Sequence, residues 1–389
     1  MSGPYHYWEE RIPPSLRFLR RGLCGRVVLA GVLVVGALMG PAAAQTVAFA
    51  PMVRFPTGDG AWAVVVADLN GDAHADLATA NIYADDISVL IGDGAGGFAA
   101  AVNFPTGESP GGIVAADLNG DTRLDLATAN LDSHDVSVLL GDGKGGFAAP
   151  TSFPIGGGSW AVVVADLNGD AHADLATATF GSDTVTVLAG DGAGGFAAPA
   201  TFPTGHVPSA VAAADLNGDA RLDLVTSNFG SDDVSVLLGD GVGGFAAPTS
   251  FPAGDAPRWV VAADLNGDTR LDLVTANRNS NDVSVLIGDG AGGFAVPVNL
   301  PTRANVVFQV VAADLNGDAH ADLATPNFGS DDVSVLLGDG AGGFAAPLTF
   351  PAGDGPRRIV AADLNGDDRP DLATGNETSG DVSVLVNTT

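Results

Sequence analysis

Short apolar segments recur along this chain, and clusters of glycine, aspartate and asparagine separate them. In one stretch, residues 209–214 form a nearly continuous apolar run, residues 233–238 alternate apolar and polar, and residues 245–252 contain prolines. Such runs predict short strands joined by turns, and no segment has a useful helical period. We name the four predicted strands A to D. Strand A is expected to be buried on both faces, strand C to be half-buried, and strand D to lie at an outer edge because proline cannot complete a ladder.

The acidic loop between strands A and B defines a repeat. Ala-Asp-Leu-Asn-Gly-Asp-x-x-x-Asp-Leu occurs seven times, and the interval is 49 residues except for one of 50. A fixed period of this length indicates stacked or radial repeats. Seven units of four antiparallel strands predict an all-β fold, a seven-bladed β-propeller. The first aspartates of the seven loops are Asp68, Asp117, Asp166, Asp215, Asp264, Asp314 and Asp363.

The two ends of the repeat region complement each other. The last unit stops after its strand C, at residues 381–386, whereas residues 49–58 match the strand D pattern of residues 98–107. We therefore predict that the N-terminal strand, within residues 47–56, completes the seventh blade. Closure of the ring would remove exposed sheet edges. An open superhelix would not explain this complementarity.

Residues 1–44 do not belong to the repeat. Arginines precede an apolar run at residues 27–39, and Ala42 to Ala44 follow it. This arrangement predicts a secretory signal peptide cleaved after Ala44. A retained membrane anchor is the alternative, but the run is shorter than the roughly 20 residues of a spanning helix. We expect a secreted, periplasmic or cell-surface protein in which residues 45–389 form the propeller, with no membrane span in the mature chain.

The charge of the chain restricts its partners. The net charge is −30, with 46 acidic and 16 basic side chains. Nucleic acid is excluded as an expected partner because its binding needs basic patches. Such a charge also implies strong self-repulsion unless cations are bound.

Each acidic loop carries oxygen-bearing side chains at its positions 1, 3, 5 and 9, and the backbone carbonyl at position 7 can add another oxygen. Ca²⁺ takes six to eight such oxygens, whereas Mg²⁺ demands a tighter octahedron. The alternative is that Asp and Asn merely form turns, which does not explain the acid at position 9. The predicted ligands, with position 7 acting through its backbone carbonyl, are Asp68, Asn70, Asp72, His74, Asp76, Asp117, Asn119, Asp121, Arg123, Asp125, Asp166, Asn168, Asp170, His172, Asp174, Asp215, Asn217, Asp219, Arg221, Asp223, Asp264, Asn266, Asp268, Arg270, Asp272, Asp314, Asn316, Asp318, His320, Asp322, Asp363, Asn365, Asp367, Arg369 and Asp371.

These units resemble the FG-GAP/VCBS repeats of integrin α-subunit propellers and of many secreted bacterial proteins. The resemblance covers nearly all of residues 47–389, and it implies one structural calcium ion in each blade, up to seven in all. The family usually has glycine at loop position 6. This chain has Ala73, Thr122, Ala171, Ala220, Thr269, Ala319 and Asp368 there. A left-handed backbone would be strained at these residues, so we expect the glycine at position 4 to make the turn instead.

Two further features of the repeat have simple interpretations. The side chains at position 7 are expected to lie in solvent. The turn Gly-Asp-Gly-x-Gly-Gly-Phe joins strands C and D in six units and opens no helix, so a phosphate-binding role is unsupported. Its phenylalanine is expected to pack between blades.

The loops on the two faces of the predicted ring differ in their variability. The A–B and C–D turns are nearly uniform and share one face, whereas the B–C and D–A loops vary and share the other. Uniform scaffold and diverse loops are typical of a binding face. Trp62, Trp160 and Trp259 fall in D–A segments, where exposed indoles could stack on sugars. The alternative is that they plug the ends of strand A as core.

We therefore expect a non-catalytic, monomeric binding or adhesion module for an extracellular glycan or protein. A purely structural module would also suit near-identical repeats. The enzymatic alternative is an extracellular polysaccharide lyase or hydrolase, although no catalytic motif stands out. The residues available to such an enzyme near the mouth of the ring are His134, His206, Arg258, Arg278, Arg357 and Arg358.

Overall fold

The structure is a computed structural model that describes residues 46–389, so the predicted signal peptide lies outside the described residues. Seven four-stranded antiparallel sheets form seven blades. The A strands of successive blades contact one another, and that of blade 7 contacts that of blade 1, so the blades close into a ring. The predicted seven-bladed propeller is confirmed. Residues 46–389 include no helix with the length and apolar character needed to cross a bilayer.

Each kind of strand has the same length in every blade, except that strand A is shorter in blade 6. The A strands are Ala61–Ala67, Pro110–Ala116, Ser159–Ala165, Pro208–Ala214, Pro257–Ala263, Val311–Ala313 and Pro356–Ala362. The B strands are Asp76–Asn81, Asp125–Asn130, Asp174–Thr179, Asp223–Asn228, Asp272–Asn277, Asp322–Asn327 and Asp371–Asn376. The C strands are Asp86–Leu90, Asp135–Leu139, Thr184–Leu188, Asp233–Leu237, Asp282–Leu286, Asp332–Leu336 and Asp381–Leu385. The D strands are Val102–Pro105, Thr151–Pro154, Ala200–Pro203, Thr249–Pro252, Val298–Pro301 and Leu348–Pro351, with Val53–Pro56 as that of blade 7.

The N-terminal strand closes the ring, as predicted. Val53–Pro56 pairs antiparallel with Asp381–Leu385, and a further bridge joins Phe49 to Asn387. Asn387 takes the place of the C–D turn that blade 7 lacks. Its backbone N–H donates to Asp371 Oδ1 at 2.6 Å, and its Nδ2 donates to the Leu315 carbonyl of blade 6 at 2.8 Å.

Burial follows the expected order except in strand C. Strand A is buried nearly throughout, and strand D is exposed apart from its third residue. The expectation of a half-buried strand C is wrong, because its serine is also buried: Ser88 is 0% exposed. Asn81 Nδ2 donates to Ser88 Oγ at 2.8 Å and to Asp86 Oδ1 at 2.7 Å. The polar positions of strand C therefore face an internal polar network. The alternation of apolar and polar residues in this strand does not mean that its polar side chains are exposed to solvent.

Aromatic contacts join neighbouring blades at the outer layer. Phe98 of the blade 1 C–D turn packs edge-to-face on Phe55 of blade 7, with ring centroids 5.2 Å apart. The same pair recurs between Phe147 and Phe104 at 5.4 Å. The prediction that this phenylalanine packs between blades is confirmed. Further pairs are Phe196–Phe153, Phe245–Phe202 and Phe294–Phe251.

A register irregularity marks the start of strand A. Ala61 lies opposite Asn81 and Ala63 opposite Ala80, so Trp62 is an extra residue in blade 1. A bulge of this kind redirects a side chain. Similar shifts occur in blades 2, 3, 4, 5 and 7. The residues at this second position are Trp62, Gly111, Trp160, Ser209, Arg258, Phe308 and Arg357.

Candidate functional site

The acidic loops are organised by their own side-chain oxygens. In blade 1, Asp68 Oδ1 accepts the Gly71 N–H at 2.7 Å, and Asp68 Oδ2 accepts the Ala73 N–H at 2.8 Å. Asn70 Oδ1 accepts the Asp72 N–H at 2.8 Å. The same pattern recurs in the other blades, for example at Asp264. Positions 1 and 3 therefore shape the turn from within.

The acid at position 9 has a structural role that the sequence analysis did not anticipate. Asp76 is 0% exposed; its Oδ2 accepts the Leu69 N–H at 2.8 Å and its Oδ1 accepts the Gly92 N–H of the C–D turn at 2.7 Å. The next blade also holds the loop, because the Gly145 N–H donates to the Leu69 carbonyl at 3.2 Å. The acid at position 9 thus ties two turns together, which accounts for its presence without a metal ion.

The environment of this acid perturbs its proton affinity. The pKa values of Asp125, Asp322 and Asp371 are raised to about 6, mainly by burial. Two backbone N–H groups lower the pKa of each acid, and the acids at positions 5 and 1 add to the rise. The pKa of Asp72, at position 5, is instead lowered by the His74 N–H. A cation placed in the loop would relieve the repulsion among these carboxylates.

The turn of the acidic loop differs from the expectation. Gly71 at position 4 has φ of 80°, but Ala73 at position 6 is also left-handed with φ of 68°. Thr122 and Thr269, at position 6 of blades 2 and 5, both have φ of 69°. Glycine at position 4 does not replace the second left-handed residue. The hydrogen bond from the position 6 N–H to the first aspartate holds this conformation, as the Thr269 N–H does to Asp264 Oδ2 at 2.8 Å.

Side chains at position 7 contact the acid at position 5, so the expectation that they lie in solvent is only partly met. Arg270 Nη2 lies 2.6 Å from Asp268 Oδ2, and His74 Nδ1 lies 3.5 Å from Asp72 Oδ1. Both basic side chains remain about half exposed, at 50% and 49%. Exposed pairs of this kind contribute little to stability.

The donor types of the acidic loops fit a hard cation. Each carboxylate oxygen bonded to an N–H group keeps lone-pair capacity, and three acids with one amide lie within nine residues. Within residues 46–389, however, no three or more His, Cys, Asp or Glu side chains already form a group that could hold an ion. The predicted calcium ligands therefore remain a prediction.

A cavity of about 860 Å³ lies on the face formed by the variable loops, over blades 1 to 3. We call it the loop-face cavity. Its apolar lining includes Trp62, Trp160, Phe180, Leu131 and Ile82. Its polar lining includes Tyr83, Asp85, Glu108, Asp132, His134 and Ser182.

The three tryptophans are buried, as in the core alternative considered from the sequence. Trp62, Trp160 and Trp259 are 1%, 2% and 1% exposed, so none presents an open indole face. Trp62 and Trp160 nevertheless line the loop-face cavity, where they stack with centroids 6.3 Å apart. Gly111, at the same strand position in the blade between them, has no side chain to separate the two rings. A binding role for these residues stays a prediction.

A chain of contacts supports the floor of the cavity from inside the ring. The Arg357 guanidinium carbon lies 3.6 Å from the centroid of a Trp62 ring, and Arg357 Nη1 lies 2.7 Å from Glu377 Oε2. The Tyr83 hydroxyl donates to Glu377 Oε1 at 2.5 Å. Burial lowers the pKa of Arg357, and the Glu377 carboxylate opposes this effect. The charged pair thus fixes both Trp62 and Tyr83 of the cavity lining.

Sequence reasoning missed the cavity, although blade 3 carried a signal. Its D–A loop is Gly156-Gly157-Gly158, and the middle glycine stands where the other blades have Asp59, Glu108, His206, Asp255, Asn305 and Asp354. A Cβ atom at Gly156 or Gly181 would meet nothing within 4 Å. Blade 3 also has Thr179 and Thr184 where the other blades have the Asn and Asp of the internal polar network.

Three of the arginines considered for an enzyme lie close together, since burial and the charges of Arg357 and Arg258 lower the pKa of Arg358, but they lie below the surface. Arg258, Arg357 and Arg358 are buried at 0%, 2% and 1% exposed. His206 pairs with Asp183, with Nδ1 3.0 Å from Oδ2. Only His134 lines the loop-face cavity.

Several solved structures share this fold at low sequence identity. A Staphylococcus aureus virginiamycin B lyase with quinupristin is 12% identical, with a TM-score of 0.60 and coverage of 87% of this chain and 99% of that chain. BBS1N in complex with ARL6DN is 11% identical, with a TM-score of 0.62 and coverage of 87% and 96%. An Agrocybe aegerita lectin that recognises non-reducing terminal N-acetylglucosamine is 19% identical, with a TM-score of 0.51 and coverage of 84% and 86%. These similarities establish the fold alone.

No curated protein matches this chain in sequence. The sequence model of the FG-GAP-like repeat matches six successive segments: residues 68–128, 120–177, 170–226, 219–275, 264–325 and 323–374. Each segment begins in or near an acidic loop and runs into the next blade. Together they span most of the propeller, and the chain belongs to the FG-GAP-like repeat family.

Proposed function

We propose that this protein is a secreted, calcium-stabilised propeller that binds an extracellular glycan or protein without catalysis. The observation that carries this proposal is the loop-face cavity, which lies where the loops of the repeat vary. Its volume of about 860 Å³ falls within the usual range for ligand sites. Uniform turns on the opposite face supply the scaffold, and variable loops supply the binding surface.

Propellers of this fold serve as binding proteins elsewhere. BBS1N forms a complex with ARL6DN, and the Agrocybe aegerita lectin recognises a terminal sugar. A lyase acting on acidic polysaccharides would need cationic groups at the mouth to neutralise its substrate. The buried arginines and the acidic lining of the cavity give that alternative less support.

Calcium would be held by the side-chain oxygens at loop positions 1, 3, 5 and 9, which are Asp68, Asn70, Asp72 and Asp76 in blade 1. A bound divalent ion would supply positive charge to a loop that crowds three carboxylates. Asp76 already links the A–B and C–D turns, so an ion there would stabilise both. Export is supported by the basic, apolar and small-residue segments of residues 1–44.

The test uses protein purified after export, with its N-terminus sequenced; the proposal expects Gln45 as the first residue. Thermal melts in Ca²⁺ and in EDTA should differ by several degrees, because chelation would leave the acidic loops repelling one another. Mg²⁺ at the same concentration is the control and should restore less of the Tm. An identical Tm in Ca²⁺ and EDTA would contradict the calcium component.

Ligand binding is tested with the same material on an array of glycans and extracellular proteins. We expect saturable binding by at least one class in Ca²⁺. No saturable binding by a protein with an intact melt would contradict the binding role and favour a structural module.

A further inference from the structure

The rim of the loop-face cavity is acidic. Asp85, Glu108 and Asp132 line it, all three lie at the surface, and His134 is the one basic side chain among the lining residues. The net charge of −30 reinforces this local potential. A ligand that carries a negative charge would be repelled, and one that carries an amine would be attracted.

The floor of the same cavity is apolar. Trp62 and Trp160 lie beneath it, and Phe180 and Leu131 flank them with partly exposed side chains. The Nε1–H groups of Trp62 and Trp160 are buried and have no acceptor within residues 46–389. These N–H groups lie below the surface that a ligand can reach, so the floor offers a ligand apolar contact.

The shape of the cavity favours a compact, ring-shaped ligand. Its lining includes Gly156 and Gly181, where a Cβ atom would meet nothing within 4 Å, so these two positions leave open space. Tyr83, which is 51% exposed, stands at the edge and is fixed by its hydrogen bond to Glu377. Fixed aromatic residues around a concave site bind flat, rigid rings at low entropic cost.

We propose that the loop-face cavity binds an oligosaccharide of amino sugars whose amines are unacetylated and protonated. The amines face Glu108, Asp85 and Asp132, and the apolar ring faces contact Phe180 and Leu131. This inference rests on the binding role proposed above and names its ligand. A basic peptide shares the positive charge but lacks rigid rings with an apolar face and oxygens around it.

The test is calorimetric titration of the intact exported protein with four probes: tetramers of glucosamine, N-acetylglucosamine, galacturonic acid and lysine, at pH 6 and low salt. Acetylation removes the charge and leaves the sugar ring, so the first two probes isolate the amine. We expect at least tenfold tighter binding of the glucosamine tetramer than of the acetylated one. We expect no binding of the galacturonate tetramer.

Charge-removing variants connect that preference to the cavity. Glu108→Gln combined with Asp132→Asn keeps side-chain shape, including an oxygen that can accept from Ser109 Oγ as Asp132 does. The preference for the glucosamine tetramer should then fall to threefold or less. Asp255→Asn is the matched control, because Asp255 holds the place of Glu108 in the blade 5 D–A loop and does not line the cavity; it should leave the preference unchanged.

Three results would overturn the amino-sugar assignment and leave the binding role intact. The first is equal affinity for the glucosamine and N-acetylglucosamine tetramers. The second is a loss of the glucosamine preference in Asp255→Asn as large as that in the cavity variant. The third is tighter binding of the lysine tetramer than of the glucosamine tetramer. If none of the four probes binds while another glycan or protein on the array does, only the amino-sugar assignment is rejected. If nothing on the array binds either, the proposed binding function is rejected as well.

Discussion

Each acidic loop contains two residues in the left-handed backbone region, and only the first of them is glycine. For residues with a Cβ atom this conformation costs roughly 1–2 kcal/mol. In blades 2 and 5 the second residue is a β-branched threonine, with φ of 69°. The side-chain oxygens of the first aspartate hold it there through the backbone N–H. The strain is thus offset inside the loop itself.

Replacing Thr269 with glycine should therefore stabilise the protein. Relief of the left-handed strain, reduced by the larger backbone entropy of glycine in the unfolded chain, should raise the free energy of unfolding by about 0.5–1 kcal/mol. Denaturant unfolding of the variant measures this. Thr249→Gly is the control, since Thr249 lies in an exposed strand D with an ordinary backbone, and it should lower stability. A loss in both variants would contradict the argument.

The blades differ from one another most clearly at the start of strand A. The bulge there places tryptophan, glycine, serine, phenylalanine or arginine at equivalent points of the ring. In blades 1 and 3 this position supplies Trp62 and Trp160 to the floor of the cavity. In blade 7 it supplies Arg357, which stacks on Trp62. One irregularity, repeated, thus builds an asymmetric site on a nearly symmetric scaffold.

The tryptophans at the start of strand A should behave as core residues when truncated. Trp259 is 1% exposed and packs in the largest apolar cluster of the described chain. Trp259→Ala should lower the free energy of unfolding by about 3–5 kcal/mol. Val242→Ala, at a residue 76% exposed, should change it by less than about 0.5 kcal/mol. If Trp259→Ala changes the free energy of unfolding as little as Val242→Ala does, the indole does not contribute to the core, and the argument from burial is contradicted.

At the scale of the whole molecule, one asparagine completes the ring. Asn387 donates from its backbone to Asp371 and from its side chain to the carbonyls of Leu315 and Pro370. Asn387→Ala would leave those carbonyls without this donor, which costs about 1–3 kcal/mol. Hydrogen exchange should show faster opening of Val53–Pro56 in this variant than in Val242→Ala, which alters a residue of blade 4 that is 76% exposed. Equal exchange in the two variants would contradict a closing role for Asn387.

The sequence predicted the fold because local signals repeat. The 49-residue period, the turn residues and the complementary ends were enough for seven blades and for their closure by the N-terminal strand. Burial was harder to predict where a polar residue has a polar partner from another strand. Ser88 is an example. It alternates with apolar residues, which suggested that its side chain is exposed to solvent, whereas Asn81 donates a hydrogen bond to it inside the blade.

The candidate site could be predicted only in part, because it is assembled from three blades. Trp62 and Trp160 were recognised as unusual, but their stacking spans blade 2, where Gly111 holds the same strand position. The acid at position 9 suggested a metal ligand, and its bonds to Leu69 and Gly92 lie across a turn that the sequence does not display. Contacts between repeats form only when all seven blades close into a ring, so the sequence of a single repeat does not predict them.

The pairing of the N-terminal strand with the last C strand has a consequence for assembly. Five of the seven C strands read Asp-Val-Ser-Val-Leu, so the closing strand Val53–Pro56 meets nearly identical partners all around the ring. It pairs with Asp381–Leu385 because every other C strand already has a D strand that follows closely in the chain. A second molecule whose blade 7 is still open presents the same edge. We therefore expect strand exchange between molecules to compete with closure, and the proportion of exchanged dimers to rise with the protein concentration during folding.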